Sequence, residues 1–167
     1  MKKLFLALAF LMVLVCQGQS YTYTGKVVKI KDGDTITVLD TLNNQNTVRL
    51  AGVDAPEKKQ EFGNVAKQFV SQEIFGKTVT VKIISVDIFK RPVGYVIYDD
   101  NINLSEVLLT RGLAWQFYDK SEYFKSLQDT AIHNRAGLWV LKDPVAPWLF
   151  RHPKKPSKKP SEAMAKA

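Results

Sequence analysis

"YTGKVVKIKDGDTITVLD", residues 23–40, decides how the chain begins to fold. Two runs rich in β-branched residues flank the turn "KDGD", and Asp-Gly is a strong hairpin signal because both positions tolerate positive φ. Asp34 follows that turn and shares strand parity with Ile36 and Val38. Its carboxylate therefore lies on the inward side, at the rim of whatever those two residues fill. After the polar "TLNNQN", "NTVRLAGV" reads as a third strand. Val79, Val81 and Ile83 alternate in "KTVTVKII" to mark a fourth, and "RPVGYVIYDD" gives a fifth that ends in an acidic turn.

Helices interrupt and follow these strands. "NVAKQFVSQEIFG" puts Val65, Ala66, Phe69, Val70 and Ile74 on one face, with Gly76 as a C-terminal stop. "NLSEVLLTRGLA" has Asn103 and Glu106 in capping-box spacing and Gly112 as its stop. "SEYFKSLQDTAIHNRAGLW" aligns Phe124, Leu127 and Ala131 behind a Ser121 cap and ends near Gly137. The expected class is α+β, mainly β. Five short strands, with one helix after the third and about three helices in all, are compatible with a small closed barrel of the OB type. Periodicity supplies the elements but does not close the barrel.

The two ends read differently. In "MKKLFLALAFLMVLVCQGQS" two lysines precede an apolar run from Leu4 to Val15, too short to span a bilayer and suited to a secretory signal peptide. Residues 1–20 are expected to be removed, giving an exported protein, secreted or periplasmic, with no stable membrane insertion. Cys16 is the only cysteine; Val15 stands where a lipid-attachment signal wants a small residue, so lipid anchoring is disfavoured. Cleavage after Cys16 leaves no thiol or disulfide chemistry. The net charge of +8 resides mainly outside the centre, because residues 21–150 hold 16 basic against 15 acidic side chains. Residues 151–167, which include "RHPKKPSKKP", form a basic Pro/Lys tail with no apolar periodicity. It is expected to be disordered, either an ordinary solvated end or a weak electrostatic tether to polyanions.

Within the domain of residues 21–150 the charges concentrate in "VRLAGVDAPE", residues 48–57. Arg49 and Asp54 are five apart and would face opposite ways in a regular strand. Gly52 allows a bulge or twist that brings them together, and Pro56 fixes where Glu57 points. Two or three carboxylates without histidine or cysteine favour a hard cation, Ca²⁺ or Mg²⁺, over zinc. An EF-hand is excluded because Ile36 and Asn43 occupy ligand positions of the loop that would start at Asp32. An arginine beside carboxylates suits an anionic substrate. The two histidines, His133 and His152, are expected at the surface, which leaves little material for histidine-based hydrolysis. By themselves the residues support metal-dependent phosphate chemistry and leave structural ion pairs open.

Taken in order, "DGDT", "RLAGVDAPE", "EFGNVAKQF", "DIFKRPVGYV", "LLTRGLA" and "AGLW" resemble the staphylococcal nuclease family over residues 25–140 or so. The resemblance implies a five-stranded OB-type barrel with three helices and Ca²⁺-dependent hydrolysis of DNA and RNA, leaving 3′-phosphate and 5′-hydroxyl ends. It implies that Asp34, Asp54 and the backbone carbonyl of Ala55 bind calcium and that Glu57 acts as general base. It also implies that Arg49 and Arg91 bind phosphate. Phe89-Lys90 departs from the Tyr-Gly that commonly precedes the second arginine, which puts the loop backbone and the aim of Arg91 in question. The segment after Glu57 is shorter than in the staphylococcal enzyme. Phe62, Tyr118 and Tyr123 are candidates for a base-binding surface, each weighed against ordinary packing. The expectation is a monomeric, sugar-nonspecific nuclease; the alternative is a non-catalytic OB module that binds nucleic acid.

Overall fold

The computed structural model describes residues 20–153. Residues 1–19, all but the last residue of the expected signal peptide, and residues 154–167, most of the expected basic tail, lie outside the described residues. Five long strands are present: β1 (Tyr21–Ile30), β2 (Thr35–Asp40), β3 (Gln45–Leu50), β5 (Thr78–Val86) and β6 (Pro92–Tyr98). Three short ones, β4 (Val53–Asp54), β7 (Ile102–Asn103) and β8 (Trp115–Gln116), accompany them. The helices are α1 (Gly63–Ile74), α2 (Leu104–Thr110), α3 (Glu122–His133) and α4 (Pro147–Arg151), with a 3-10 turn at Gly137–Val140 before the last.

The sheet runs β3-β2-β1-β5-β6-β7 and closes on itself through a β3–β6 pairing. That closing pair is parallel, with Arg49 opposite Val93 and Leu50 opposite Gly94, whereas the other neighbours are antiparallel. Closure removes the exposed edges that an open five-stranded sheet would carry. Inward residues of alternate parity fill the barrel, among them Val27, Ile36, Val38, Val48, Leu50, Val81 and Val96. Val70, Ile74, Leu104 and Leu108 cap it from the helices. The fold is the expected α+β barrel of OB type.

Details differ where tertiary packing overrides local pattern. The β1–β2 turn forms, but Gly33 is not among the residues with positive φ. Glycine is needed there for space, since a Cβ would lie 2.7 Å from the Cβ of Ala55 and 2.9 Å from that of Ala66. Close approach draws the Asp34 loop onto the segment after β4. Val65, expected on the buried face of α1, is 49% exposed, while Ala66, Val70 and Ile74 are fully buried. The caps of α2 and α3 form as expected: Asn103 Oδ1 accepts from Ser105 N–H, and Ser121 Oγ accepts from Phe124 N–H. His133 and His152 are at the surface. A short fourth helix, α4, goes beyond what the sequence pattern implies. Five residues hold too little periodicity to detect, and only Pro147 at its first turn hints at a start. It takes in Arg151, which the sequence reading assigns to the tail.

Candidate functional site

The turn after β3 builds the site. Gly52 adopts φ +77, a left-handed conformation costly for other residues, and so reverses the parity between Arg49 and Asp54. The turn is held from outside by Ser105 Oγ, which donates to the Ala51 carbonyl at 2.8 Å, and by Phe117 N–H on the Gly52 carbonyl at 2.9 Å. β4 then pairs with β8, placing Asp54 opposite Trp115. Those bonds fix a carboxylate that is wholly buried.

Arg49 joins the two aspartates. Its Nη1 lies 2.8 Å from Asp34 Oδ2 and its Nη2 lies 2.7 Å from Asp54 Oδ1. Asp34 is itself 4% exposed and also accepts from Thr35 Oγ1 at 2.9 Å and Ala55 N–H at 3.1 Å. Burial pushes the Asp34 carboxyl up to about 7, against the pull of Arg49. The bond to Ala55 brings the backbone of that residue to the same rim. Glu57 stands farther out, with 39% of its side chain exposed.

A further residue completes the chain of charges. Arg151 Nη2 lies 2.6 Å from Asp54 Oδ2, and its Nη1 reaches Asp54 Oδ1 at 3.2 Å and Glu57 Oε1 at 2.8 Å. Its pKa is raised, chiefly by the hydrogen bonds to Asp54, so it is a permanent cation. Sequence reasoning misses it because "LFRHPKK" looks like the start of a basic tail. The order Asp34–Arg49–Asp54–Arg151–Glu57 alternates in sign throughout.

Arg91 is not in that chain of contacts. It immediately precedes β6, whose Val93 is the register partner of Arg49, so it stands beside the same end of the barrel. Asp87 holds it: Asp87 Oδ2 accepts from Arg91 Nε at 2.7 Å, and Oδ1 accepts from the N–H groups of Phe89 and Arg91. Its guanidinium lies 5.3 Å from the Phe89 ring centre. Lys90 takes φ +60, the region that glycine enters freely, so the turn survives the loss of glycine at the cost of local strain.

The three aromatic candidates separate. Phe62 packs against the core at the start of α1. Tyr123 is 55% exposed and donates its hydroxyl to Glu106. Tyr118 is 88% exposed and sits beside Phe117, which stacks on Trp148 with ring centres 5.2 Å apart.

The oxygen donors suit a hard cation in kind, for among the described residues no histidine or cysteine is a hydrogen-bond or ion-pair partner of these carboxylates. Among the described residues, no cluster of three or more acidic, histidine or cysteine side chains could hold a metal ion. A cation would therefore rest on Asp34, Asp54 and backbone oxygen.

Known proteins resemble this chain. A family model described as "Staphylococcal nuclease homologue" matches residues 47–141, a little over half of the chain. An "Uncharacterized endonuclease" of Escherichia coli is 38% identical over 132 residues, covering 78% of this chain and 86% of that protein. The protein of the same name in Haemophilus influenzae is 35% identical, covering 90% and 84%. A "Micrococcal nuclease" of Shigella flexneri is 33% identical, covering 89% and 92%. With a family model over more than half of its length and relatives 33–38% identical over most of both chains, the chain belongs to the staphylococcal nuclease family.

Proposed function

We propose that this protein is an exported nuclease that hydrolyses phosphodiesters of DNA and RNA with calcium, leaving 3′-phosphate and 5′-hydroxyl ends. The observation that carries the reading is the rim itself. Two buried aspartates are bridged by one guanidinium, and a partly exposed glutamate stands next to them. The export part rests on the signal-like residues 1–20, and slight sequence preference follows from backbone contacts and stacking, which do not read bases. No helix of the described residues is long and apolar enough to cross a membrane.

Asp34, Asp54 and the Ala55 carbonyl would hold the cation, which supplies charge to polarise the phosphodiester and lower the pKa of water. Each terminal nitrogen of Arg49 carries a second hydrogen beyond the one given to an aspartate, so the guanidinium can also donate to a phosphate oxygen. Arg91, 37% exposed, supplies a second cation against the charge that develops on the equatorial oxygens. Glu57 takes the proton of the attacking water, which requires its Oε1 to be free of Arg151.

The test is cleavage of single-stranded DNA by residues 21–167, with Ca²⁺ and with a chelator, beside Glu57→Gln and Arg91→Ala. Both side chains are more than a third exposed, so the variants keep the fold. Calcium-dependent cutting, lowered roughly 10²–10³-fold by either change, is the expected result. A folded, calcium-loaded wild type that does not cut would sink the enzyme reading in favour of a binding module.

A further inference from the structure

We propose that Arg151 and the divalent cation compete for Asp54, so that the C-terminal helix α4 closes the metal site until a cation expels its arginine. The inference rests on the calcium reading above, and it concerns a residue outside the span 47–141 that the family model matches.

The occupancy of the carboxylates carries it. Asp54 is wholly buried, and both its oxygens are taken by guanidinium groups: Oδ1 by Arg49 and Arg151, Oδ2 by Arg151 alone. Asp34 likewise uses both oxygens, for Thr35, Ala55 and Arg49. A cation cannot share the open face of Asp54 with the Arg151 guanidinium, whereas Asp34 Oδ1 gives one lone pair to the neutral Thr35 hydroxyl and keeps the other. Arg49 cannot readily yield, because its side chain is only 13% exposed and its departure would leave the buried Asp34 with no cation partner.

Arg151 can yield. Its side chain is 35% exposed and belongs to a five-residue surface helix. That helix is anchored independently by Trp148, stacked on Phe117 and set edge-on to Trp115. The long side chain can swing out while the helix stays docked. Its departure frees Asp54 Oδ2 for the ion and Glu57 Oε1 for water in one movement, since Nη1 spans Asp54 and Glu57. The guanidinium meanwhile serves as a stand-in cation, offsetting a buried negative charge that would otherwise be unmatched with the ion absent.

Calorimetric titration of Ca²⁺ into wild type, Arg151→Ala and Arg151→Lys tests this, together with thermal melts of each with and without Ca²⁺. Arg151→Ala is expected to bind Ca²⁺ about 10–100-fold more tightly, the loss of a charge-assisted competitor. It should melt below wild type without calcium and gain more from saturating calcium, because only the ion-free state uses the arginine. Arg151→Lys keeps a charge but cannot span both oxygens, and it should fall between the two. It serves as the comparison if the alanine variant does not fold. Calcium binding of equal or weaker strength in folded variants would overturn this inference alone. No calcium binding by wild type or by either variant would overturn both the inference and the calcium reading.

Discussion

Asp87 organises the β5–β6 turn almost alone. It accepts from the N–H groups of Phe89 and Arg91 and from Arg91 Nε, and it thereby sets the arginine, outside the ion chain, that is proposed to meet phosphate. Desolvation works to raise its pKa, but these bonds and the Arg91 charge win and hold the carboxyl below its ordinary range. In the unfolded chain it titrates at about 3.9. The folded state therefore binds fewer protons near that pH, and the stabilisation is complete above it and lost as the pH falls through the folded value. Asp87→Asn should melt below wild type at neutral pH, with the gap closing in acid. Released from its tether, Arg91 should also serve the reaction less well, lowering kcat/KM roughly tenfold. Melts across pH 2–7 check the first point, and a gap constant over that range would contradict it. At this scale the sequence named Asp34, Arg49, Asp54, Glu57 and Arg91 from a motif series, and the contacts join four of them. Arg151 was beyond reach because its partners lie 94 and 97 residues away, and no local pattern encodes such a separation.

At the scale of elements, strand identity was legible because alternation and turn chemistry are local properties. Closure was legible only through the motif resemblance, since the β3–β6 pair is parallel and long-range, and the two-residue strands β4 and β8 carry no period at all. Yet that small ribbon and the turn before it decide the site. Gly52 is the hinge between the strand that delivers Arg49 and the one that delivers Asp54. A side chain there meets two penalties: a left-handed backbone and a Cβ placed 2.6 Å from Phe124 Cε1. Gly52→Ala should cost about 2–4 kcal/mol. In melting temperature that is ~2–4 °C for each kcal/mol in a chain of this size. Urea unfolding measures the stability. Activity should fall further than the unfolded fraction explains, since Asp54 moves relative to Arg49. A stable variant with full activity would show that the turn relaxes without disturbing the pair.

At the scale of the molecule, charge is segregated. Residues 21–150 are close to neutral, while residues 154–167 hold Lys154, Lys155, Lys158, Lys159 and Lys166 against Glu162. The described chain ends two residues beyond Arg151, whose side chain lies in the site, so its last described residues are near the rim where a polyanion would be cut. A tether placed there raises the local concentration of nucleic acid without touching the chemistry. Its contribution comes from released counterions and must fade with salt. A chain stopped after Pro153 should bind single-stranded DNA more weakly at low salt, with the gap narrowing as salt rises. Every lysine–phosphate pair removed flattens the slope of log K against log salt by about 0.7. With five lysines and one glutamate removed, the slope should change by roughly 3. Fluorescence anisotropy on the Glu57→Gln background, where the strand stays intact, measures this directly. At saturating substrate the truncated wild type should keep its kcat, because Arg151 and every other charge of the site remain. An unaltered salt slope would show that the lysines do not engage the strand and that the domain alone holds its substrate.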